Sequence, residues 1–142
     1  MTTVRHLLDR KGRTIHRIGP DDPVLEAIRL MAEHHVGALL VMQGEQLVGV
    51  VSERDYARKV ILLGRSSGET PVRQIMSSPV VTVSPESTVD ECLRLVTERR
   101  IRHLPVLQGG RVAGVISIGD LVKAVIEDQQ ATIEQLETYI HR

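Results

Sequence analysis

The chain repeats itself at a fixed offset of 65 residues. Residues 20–60 align without a gap onto residues 85–125, and 15 of the 41 positions are identical. The identities include three equivalent pairs: Gly49 and Gly114, Ser52 and Ser117, Asp55 and Asp120. Upstream, residues 4–8 resemble residues 72–76 at an offset of 68. Chance does not produce a match of this quality, so the chain is a duplication of one unit.

Each copy predicts the order β-α-β-β-α, preceded by a short helix. Proline and N-cap residues at 20–23 and 85–88 mark a helix start, and apolar residues then recur with a 3.6-residue period. Short apolar runs at 37–42 and 104–107 predict strands, each followed by a glycine-containing hairpin turn and a second strand. A unit of about 60 residues is marginally stable alone. We therefore expect an α+β fold in which two pseudo-symmetric copies pack sheet to sheet as one module.

The repeat also predicts where the parts of the chain begin and end. Copy one occupies residues 1–63, a linker residues 64–71, copy two residues 72–126, and a C-terminal helix residues 127–142. Ile126, Ile133, Leu136 and Ile140 give that helix an apolar stripe at spacings of 7, 3 and 4. The stripe has to be covered, either by docking onto its own domain or by a contact with another subunit.

Charge and composition exclude several classes of function. Lys and Arg total 18, as do Asp and Glu, so the net charge is zero. The chain therefore lacks the net positive charge that would attract nucleic acids or membrane surfaces. The only cysteine, Cys92, falls on a helix's apolar face, which predicts that it is a core residue. A single cysteine cannot form a disulfide within the chain, so we expect a reducing cytoplasm as the compartment. His34 and His35 are adjacent and would point about 100° apart on a helix, so we predict no metal site. We also expect no leader peptide and no segment that spans a bilayer, because the apolar runs are too short.

The stretches Gly49–Asp55 and Gly114–Asp120 share the pattern glycine, two apolar residues, then Ser-x-x-Asp. The pattern predicts a buried strand that delivers a hydroxyl and a carboxylate to the first turn of a helix. One interpretation is plain helix capping. The other is ligand binding, in which helix amides attract phosphate and the carboxylate accepts hydrogen bonds from a ribose diol. Recurrence of the pattern at the same offset in both copies favours the second interpretation.

The duplicated order of elements, the two Ser-x-x-Asp patterns and the segment Arg102–Val106 resemble tandem CBS-domain proteins, the motifs named after cystathionine beta-synthase. The resemblance is closest to the short bacterial stand-alone type and covers residues 15–126. It implies an adenine nucleotide (AMP, ATP or NAD(H)) in each of two clefts between the motifs. One implied site consists of Ser52, Arg54, Asp55, Val80, Arg102 and His103. The other consists of Ser117, Gly119, Asp120, Ile15, His16, Gly37 and Ala38.

The two implied sites differ in their basic residues. Arg54, Arg102 and His103 suit the first site to a diphosphate, a triphosphate or a dinucleotide, because arginine forks match phosphate oxygens. The second site has Gly119 and Gly37 at the positions of two of these residues, and suits a monophosphate or stays empty. His103 is equally compatible with a structural hydrogen bond.

We therefore interpret the chain as a cytoplasmic sensor without enzymatic activity, which forms a homodimer and signals nucleotide occupancy to an unknown protein partner. Two alternatives remain open from the sequence. The first is an interaction adaptor whose clefts are vestigial. The second is a nucleotide-processing enzyme, which would have to use Asp55 or Asp120, although neither has an evident activating partner.

Overall fold

A computed structural model describes residues 1–141 of the chain, and it confirms the predicted mixture of helices and strands. The elements are α1 (Val4–Lys11), β1 (Arg17–Ile18), α2 (Val24–His34), β2 (Ala38–Gln43), β3 (Gln46–Ser52), α3 (Glu53–Tyr56), α4 (Val89–Arg99), β4 (His103–Gln108), β5 (Arg111–Ser117) and α5 (Ile118–Ile140). A π-helical turn at Ala57–Ile61 continues α3, and a 3₁₀ turn occupies Val72–Gln74.

Two sheets carry the strands. In the first, β1 runs parallel to β2, and β2 pairs antiparallel with β3 from Ala38 opposite Ser52 to Gln43 opposite Gln46. The second sheet consists of β4 and β5. Both hairpin turns place glycine at positive φ, Gly44 at 61° and Gly109 at 60°, as the sequence predicts.

The first strand of copy two is shorter than its counterpart in copy one. It is reduced to a single parallel bridge between Val83 and Val106. In copy one the amide of Leu40 donates to the carbonyl of His16 at 3.0 Å, which extends the β1–β2 ladder. The equivalent of Leu40 in copy two is Pro105, which has no amide hydrogen to donate. The ladder therefore stops after the bonds on either side of Val106.

The chain forms two compact units that do not follow the repeat boundaries. The copy-one unit comprises Thr14–Val81 together with Gly109–Val112. The copy-two unit comprises Met1–Arg13, Thr82–Gln108 and the chain from Ala113 onwards. The leading segment of each copy thus belongs to the unit built from the body of the other copy. The boundaries predicted at residues 1–63 and 72–126 follow the sequence repeat and stay a prediction.

Backbone hydrogen bonds hold each leading segment to its unit in the same way. In the copy-two unit, the amide of Val4 donates to Ser87 at 2.8 Å and the amide of Val89 donates to Thr2 at 3.0 Å. In the copy-one unit the equivalent bonds join Val72 to Asp22 at 2.9 Å and Val24 to Thr70 at 2.8 Å. The amides at a helix start have no hydrogen-bond acceptor within their own helix, and these carbonyls provide one. Backbone carbonyls therefore cap α2, where Pro23 offers no side-chain cap.

A glycine in the middle of each unit's last strand lets the leading segment pack closely. A Cβ atom at Gly114 would lie 2.6 Å from Leu8 Cδ2, and one at Gly49 would lie 2.5 Å from Met76 Sδ. Leu8 is 1% exposed, so this contact is part of the core. The core of the copy-one unit is Ile18, Val24, Ala27, Met31, Leu39, Val41, Val51, Val60, Val72 and Ile75.

The second half of α5 buries no side chain against the described residues, since every residue from Asp128 to His141 is exposed. The predicted apolar stripe is present, with Ile133 at 49%, Leu136 at 56% and Ile140 at 72% exposure. Docking of this segment onto its own domain is therefore wrong as an interpretation. Within residues 1–141, no helix combines the length and apolarity needed to cross a membrane.

Candidate functional site

Ser52 and Asp55 form a reciprocal cap at the start of α3 in the copy-one unit. The Asp55 amide donates to Ser52 Oγ at 3.1 Å. In return, Asp55 Oδ2 accepts from the Ser52 amide and hydroxyl, both at 3.0 Å. The capping interpretation of Ser-x-x-Asp is therefore correct for this pair. The cap also fixes the carboxylate of Asp55 in a half-buried position, with 15% of the side chain exposed.

Lys59 engages the other oxygen of this carboxylate. Its Nζ lies 3.3 Å from Asp55 Oδ1 and donates to the carbonyl of Ile75 at 2.9 Å. Arg54 lies half-buried on the same helical turn. A carboxylate with an ammonium and a guanidinium on its own segment is a site where a sugar hydroxyl and a phosphate could bind together.

The start of β2 lies beside this cap. Ala38 is the register partner of Ser52, and the carbonyl of Gly37 accepts from the Glu53 amide at 3.0 Å. Further along, His16 precedes β1 and its ring stacks on His34, with centroids 4.0 Å apart. Burial, followed by the neighbouring His34, lowers the pKa of His16. Ile15 is half-buried next to it.

Ser117 and Asp120 form the equivalent cap at the start of α5 in the copy-two unit. The Asp120 amide donates to Ser117 Oγ at 3.2 Å, and Asp120 Oδ2 accepts from the Ser117 amide at 2.8 Å. Gly119 is exposed, and a Cβ there would meet only Ser117 Oγ, at 3.6 Å. The backbone at this turn is thus open to a ligand that approaches the helix start.

Lys11, from the end of α1, contacts the same carboxylate. Its Nζ donates to Asp120 Oδ2 at 2.6 Å and to the carbonyl of Val115 at 3.0 Å. Burial alone would raise the pKa of Asp120, but the hydrogen bonds from Lys11 and from the Ser117 amide outweigh it and the pKa is lowered. Asp120 is therefore ionised at neutral pH, and both of its oxygens are hydrogen-bond acceptors.

Arg102 and His103 lie beside the cap of their own copy. The Ile118 amide donates to the carbonyl of Arg102 at 2.8 Å, and the Arg102 side chain is exposed. His103 begins β4 and is half-buried. Burial lowers its pKa, Lys11 and Arg102 lower it further, and Asp120 partly opposes them. His103 is therefore mainly neutral at pH 7, which reduces its value as a phosphate ligand.

The resemblance assigns Arg102, His103 and Val80 to the ligand that Asp55 holds, and Gly37, Ala38, Ile15 and His16 to the ligand that Asp120 holds. That assignment stays a prediction. Val80 is half-buried in irregular chain near the end of the copy-one unit. Lys59 was expected near the Asp55 site as one of several basic residues, whereas the contact of Lys11 with Asp120 was not predicted, because the two lysines do not occupy equivalent positions in the repeat.

Cys92 lies outside this chemistry, as its position on an apolar helix face predicts. It is fully buried in α4, and burial raises the pKa of its thiol to about 11. A thiol with that pKa is protonated at neutral pH and is a poor nucleophile.

Comparison with known proteins identifies both copies. The family model for the CBS domain matches residues 4–61 and again residues 72–127. The chain is 40% identical over 148 aligned residues to the mitochondrial CBS domain-containing protein CBSX3 of Arabidopsis thaliana, covering 98% of this chain and 72% of that protein.

Two solved structures extend the comparison. A protein from Burkholderia ambifaria, described as a signal-transduction protein with CBS domains, is 55% identical with a TM-score of 0.87, over 90% of this chain and 96% of that one. The CBS domain pair of protein MJ0100, solved with 5′-methylthioadenosine and S-adenosyl-L-methionine, is 20% identical with a TM-score of 0.79, over 90% of this chain and 98% of that one. At that identity, the second structure shows a shared fold.

Proposed function

Because this chain belongs to the CBS-domain family and carries two CBS domains in tandem, we propose that it is a regulatory module that binds adenosine-containing ligands at Asp55 and Asp120. Occupancy of these sites changes the shape of the module and is passed to a protein partner. A ligand can have that effect only if it binds two conformations with different affinity. The predicted linker, residues 64–71, and α5 are the parts through which we expect the change to reach a partner.

The recurrence of one capped, half-buried carboxylate in both units carries this proposal. Each carboxylate is held at a helix start by a serine three residues earlier, with 15% of the Asp55 side chain and 25% of the Asp120 side chain exposed. A carboxylate fixed in this way can accept hydrogen bonds from both hydroxyls of a ribose without losing further side-chain entropy. Within residues 1–141, Asp120 Oδ1 has no hydrogen-bond donor, so one acceptor is already free.

A protein of the same fold supports the adenosine part of the proposal. The MJ0100 domain pair was solved with two ligands that each contain adenosine. AMP, ATP and NAD(H) all offer the same adenosine group, so we propose them as the ligands to test first. Arg54, next to Asp55 on α3, makes the Asp55 site the one we expect to take a ligand with more than one phosphate.

The proposal is tested by thermal unfolding of the purified chain with AMP, ATP, NAD, NADH and S-adenosyl-L-methionine. At 100 times its dissociation constant, a ligand stabilises the native state by about 2.7 kcal/mol, so the melting temperature should rise clearly. Mass spectrometry of nucleotides that copurify with the chain would identify the bound species directly. If no adenosine-containing compound shifts the transition, the adaptor with vestigial clefts becomes the better interpretation. Turnover of ATP or NADH that disappears in Asp55→Ala would instead indicate an enzyme.

We also propose that the exposed stripe of α5 pairs with a second copy of the chain. Ile126, Ile133, Leu136 and Ile140 follow spacings of 7, 3 and 4, which is the seam pattern of paired helices. All four are at least 49% exposed, an arrangement that leaves a continuous apolar surface in water. A homodimer covers this surface on both copies at once.

Leu136→Lys is expected to shift the chain from dimer to monomer, because it places a charge in the seam of both helices. We expect the dimer dissociation constant to rise at least about tenfold, since burying a leucine contributes about 1.5–3 kcal/mol per copy. Size-exclusion chromatography with light scattering measures the mass. Gln135→Lys, one residue away on an exposed position, is the matched control. An unchanged mass in Leu136→Lys would contradict pairing through this stripe.

The cytoplasmic location predicted from the single cysteine stays a prediction, and the Arabidopsis relative is described as mitochondrial.

A further inference from the structure

A small cavity lies next to Asp120 in the copy-two unit. It encloses about 100 Å³ between α1 and α5, and its charged lining consists of Arg10, Lys11, Lys123, Asp120 and Glu127. Arg10 is paired with Glu127, and Lys11 with Asp120. Among residues 1–141, Lys123 has no carboxylate within ion-pair distance. The cavity thus contains one more positive charge than negative charge.

Lys11 donates to the same oxygen of the Asp120 carboxylate that accepts the hydrogen bond of the Ser117 cap. Asp120 Oδ2 accepts from Lys11 Nζ at 2.6 Å and from the Ser117 amide at 2.8 Å. A ribose diol can bind a carboxylate with one hydroxyl on each oxygen, which requires Oδ2 as well as Oδ1. Because Lys11 and the Ser117 amide already use both lone pairs of Oδ2, this arrangement forms at Asp120 only when Lys11 releases Oδ2.

The same pairing exists at Asp55, but a different residue provides it. Lys59, on the helical segment after Asp55, takes that role and also donates to a backbone carbonyl. The position in copy two equivalent to Lys59 is Ala124, and the position in copy two equivalent to Lys11 is Pro79. The two lysines therefore do not descend from one position of the duplicated unit. Each capped carboxylate is therefore contacted by an ammonium, and the two ammonium groups come from non-equivalent positions of the repeat.

We infer that Lys11 selects phosphorylated ligands at Asp120, by competing with the ribose for the carboxylate and then pairing with the phosphate of the ligand that displaces it. This inference rests on the proposed function. A nucleoside displaces Lys11 and offers its ammonium no new anion. A nucleotide also offers phosphate oxygens as partners for Lys11 and for Lys123, which both line the same cavity. Loss of the ion pair to Asp120 is thereby compensated only for nucleotides.

The inference predicts opposite effects of Lys11→Met on two ligands. Adenosine should bind up to about fivefold tighter, because a half-exposed ion pair no longer competes with it. AMP should bind about threefold to a hundredfold weaker, because the loss of a charged hydrogen bond to phosphate outweighs the same relief of competition. Calorimetry of the full chain measures both dissociation constants, with Asp55→Asn present in every sample so that only the Asp120 site is read. Lys11→Arg keeps the charge and should retain the preference for AMP.

Arg13→Met is the matched control, since it removes a cation two residues away whose partner is Asp9, at 2.6 Å. We expect it to leave both dissociation constants unchanged. If Lys11→Met weakens both ligands equally, or changes neither, Lys11 does not select for phosphate and the inference is overturned. Asp120→Asn in the same background separates this result from failure of the proposed function. If it leaves AMP binding unaffected, AMP is not held by Asp120, and both the inference and the proposed site are wrong.

Discussion

Asp55→Asn and Asp120→Asn are each expected to lose ligand binding at one site and to leave the other site unchanged. Asparagine keeps an oxygen that can accept a hydrogen bond from the serine amide of the cap. It is uncharged, however, and it has one accepting oxygen where the carboxylate has two. A hydrogen bond to a charged group contributes about 1.5–3 kcal/mol, so affinity at the altered site should fall at least about tenfold. Titration calorimetry should then show the stoichiometry fall from two ligands to one.

Glu53→Gln is the control for this experiment. Glu53 is the residue next to Ser52 at the start of α3, and its side chain is exposed. The substitution removes one negative charge from the same helical turn and leaves the capped carboxylate of Asp55 intact, so we expect both sites to keep binding ligand. Equal losses at both sites from either aspartate variant would contradict two independent carboxylate sites.

Leu8→Ala is expected to cost the chain about 2–5 kcal/mol of unfolding free energy, the range for truncating a buried leucine. Leu8 is 1% exposed and lies against the strand glycine Gly114. Chemical denaturation measures the change. Leu62→Ala is the matched control, because Leu62 is 77% exposed and its truncation should change stability by no more than about 0.5 kcal/mol.

A double-mutant cycle tests the contact between Leu8 and Gly114 itself. Gly114→Ala alone should destabilise the chain by about 1–3 kcal/mol, because its Cβ would lie 2.6 Å from Leu8 Cδ2. In the Leu8→Ala background the same change should cost much less, since the obstructing methyl group is gone. Additive losses would show that the leading helix does not pack on this strand as described.

The repeat made most of the fold predictable. Each helix start and each hairpin occurs twice with the same local signals, so the prediction for one copy supports the prediction for the other. Ser52 and Ser117 were predicted as N-caps from the Ser-x-x-Asp spacing, and both cap their helices. The same spacing could not separate capping from ligand binding, because one carboxylate can serve both purposes.

The features that escaped prediction depend on contacts between segments far apart in the chain. The place of α1 in the copy-two unit follows from hydrogen bonds between residues more than 80 positions apart, such as Val4 to Ser87. Gly114 carried a signal for this packing, since a glycine inside a strand often marks a close approach. Lys11 carried no such signal, because its carboxylate partner lies 109 residues away. The short first strand of copy two could have been predicted from Pro105, which cannot donate to a ladder.

A crystal structure of the chain with AMP would test the ribose-binding role of the two capped carboxylates most directly. We expect the 2′ and 3′ hydroxyls to lie within about 3.2 Å of the carboxylate oxygens of Asp55 or Asp120. AMP bound elsewhere, with both carboxylates still held only by their serines and lysines, would contradict this role.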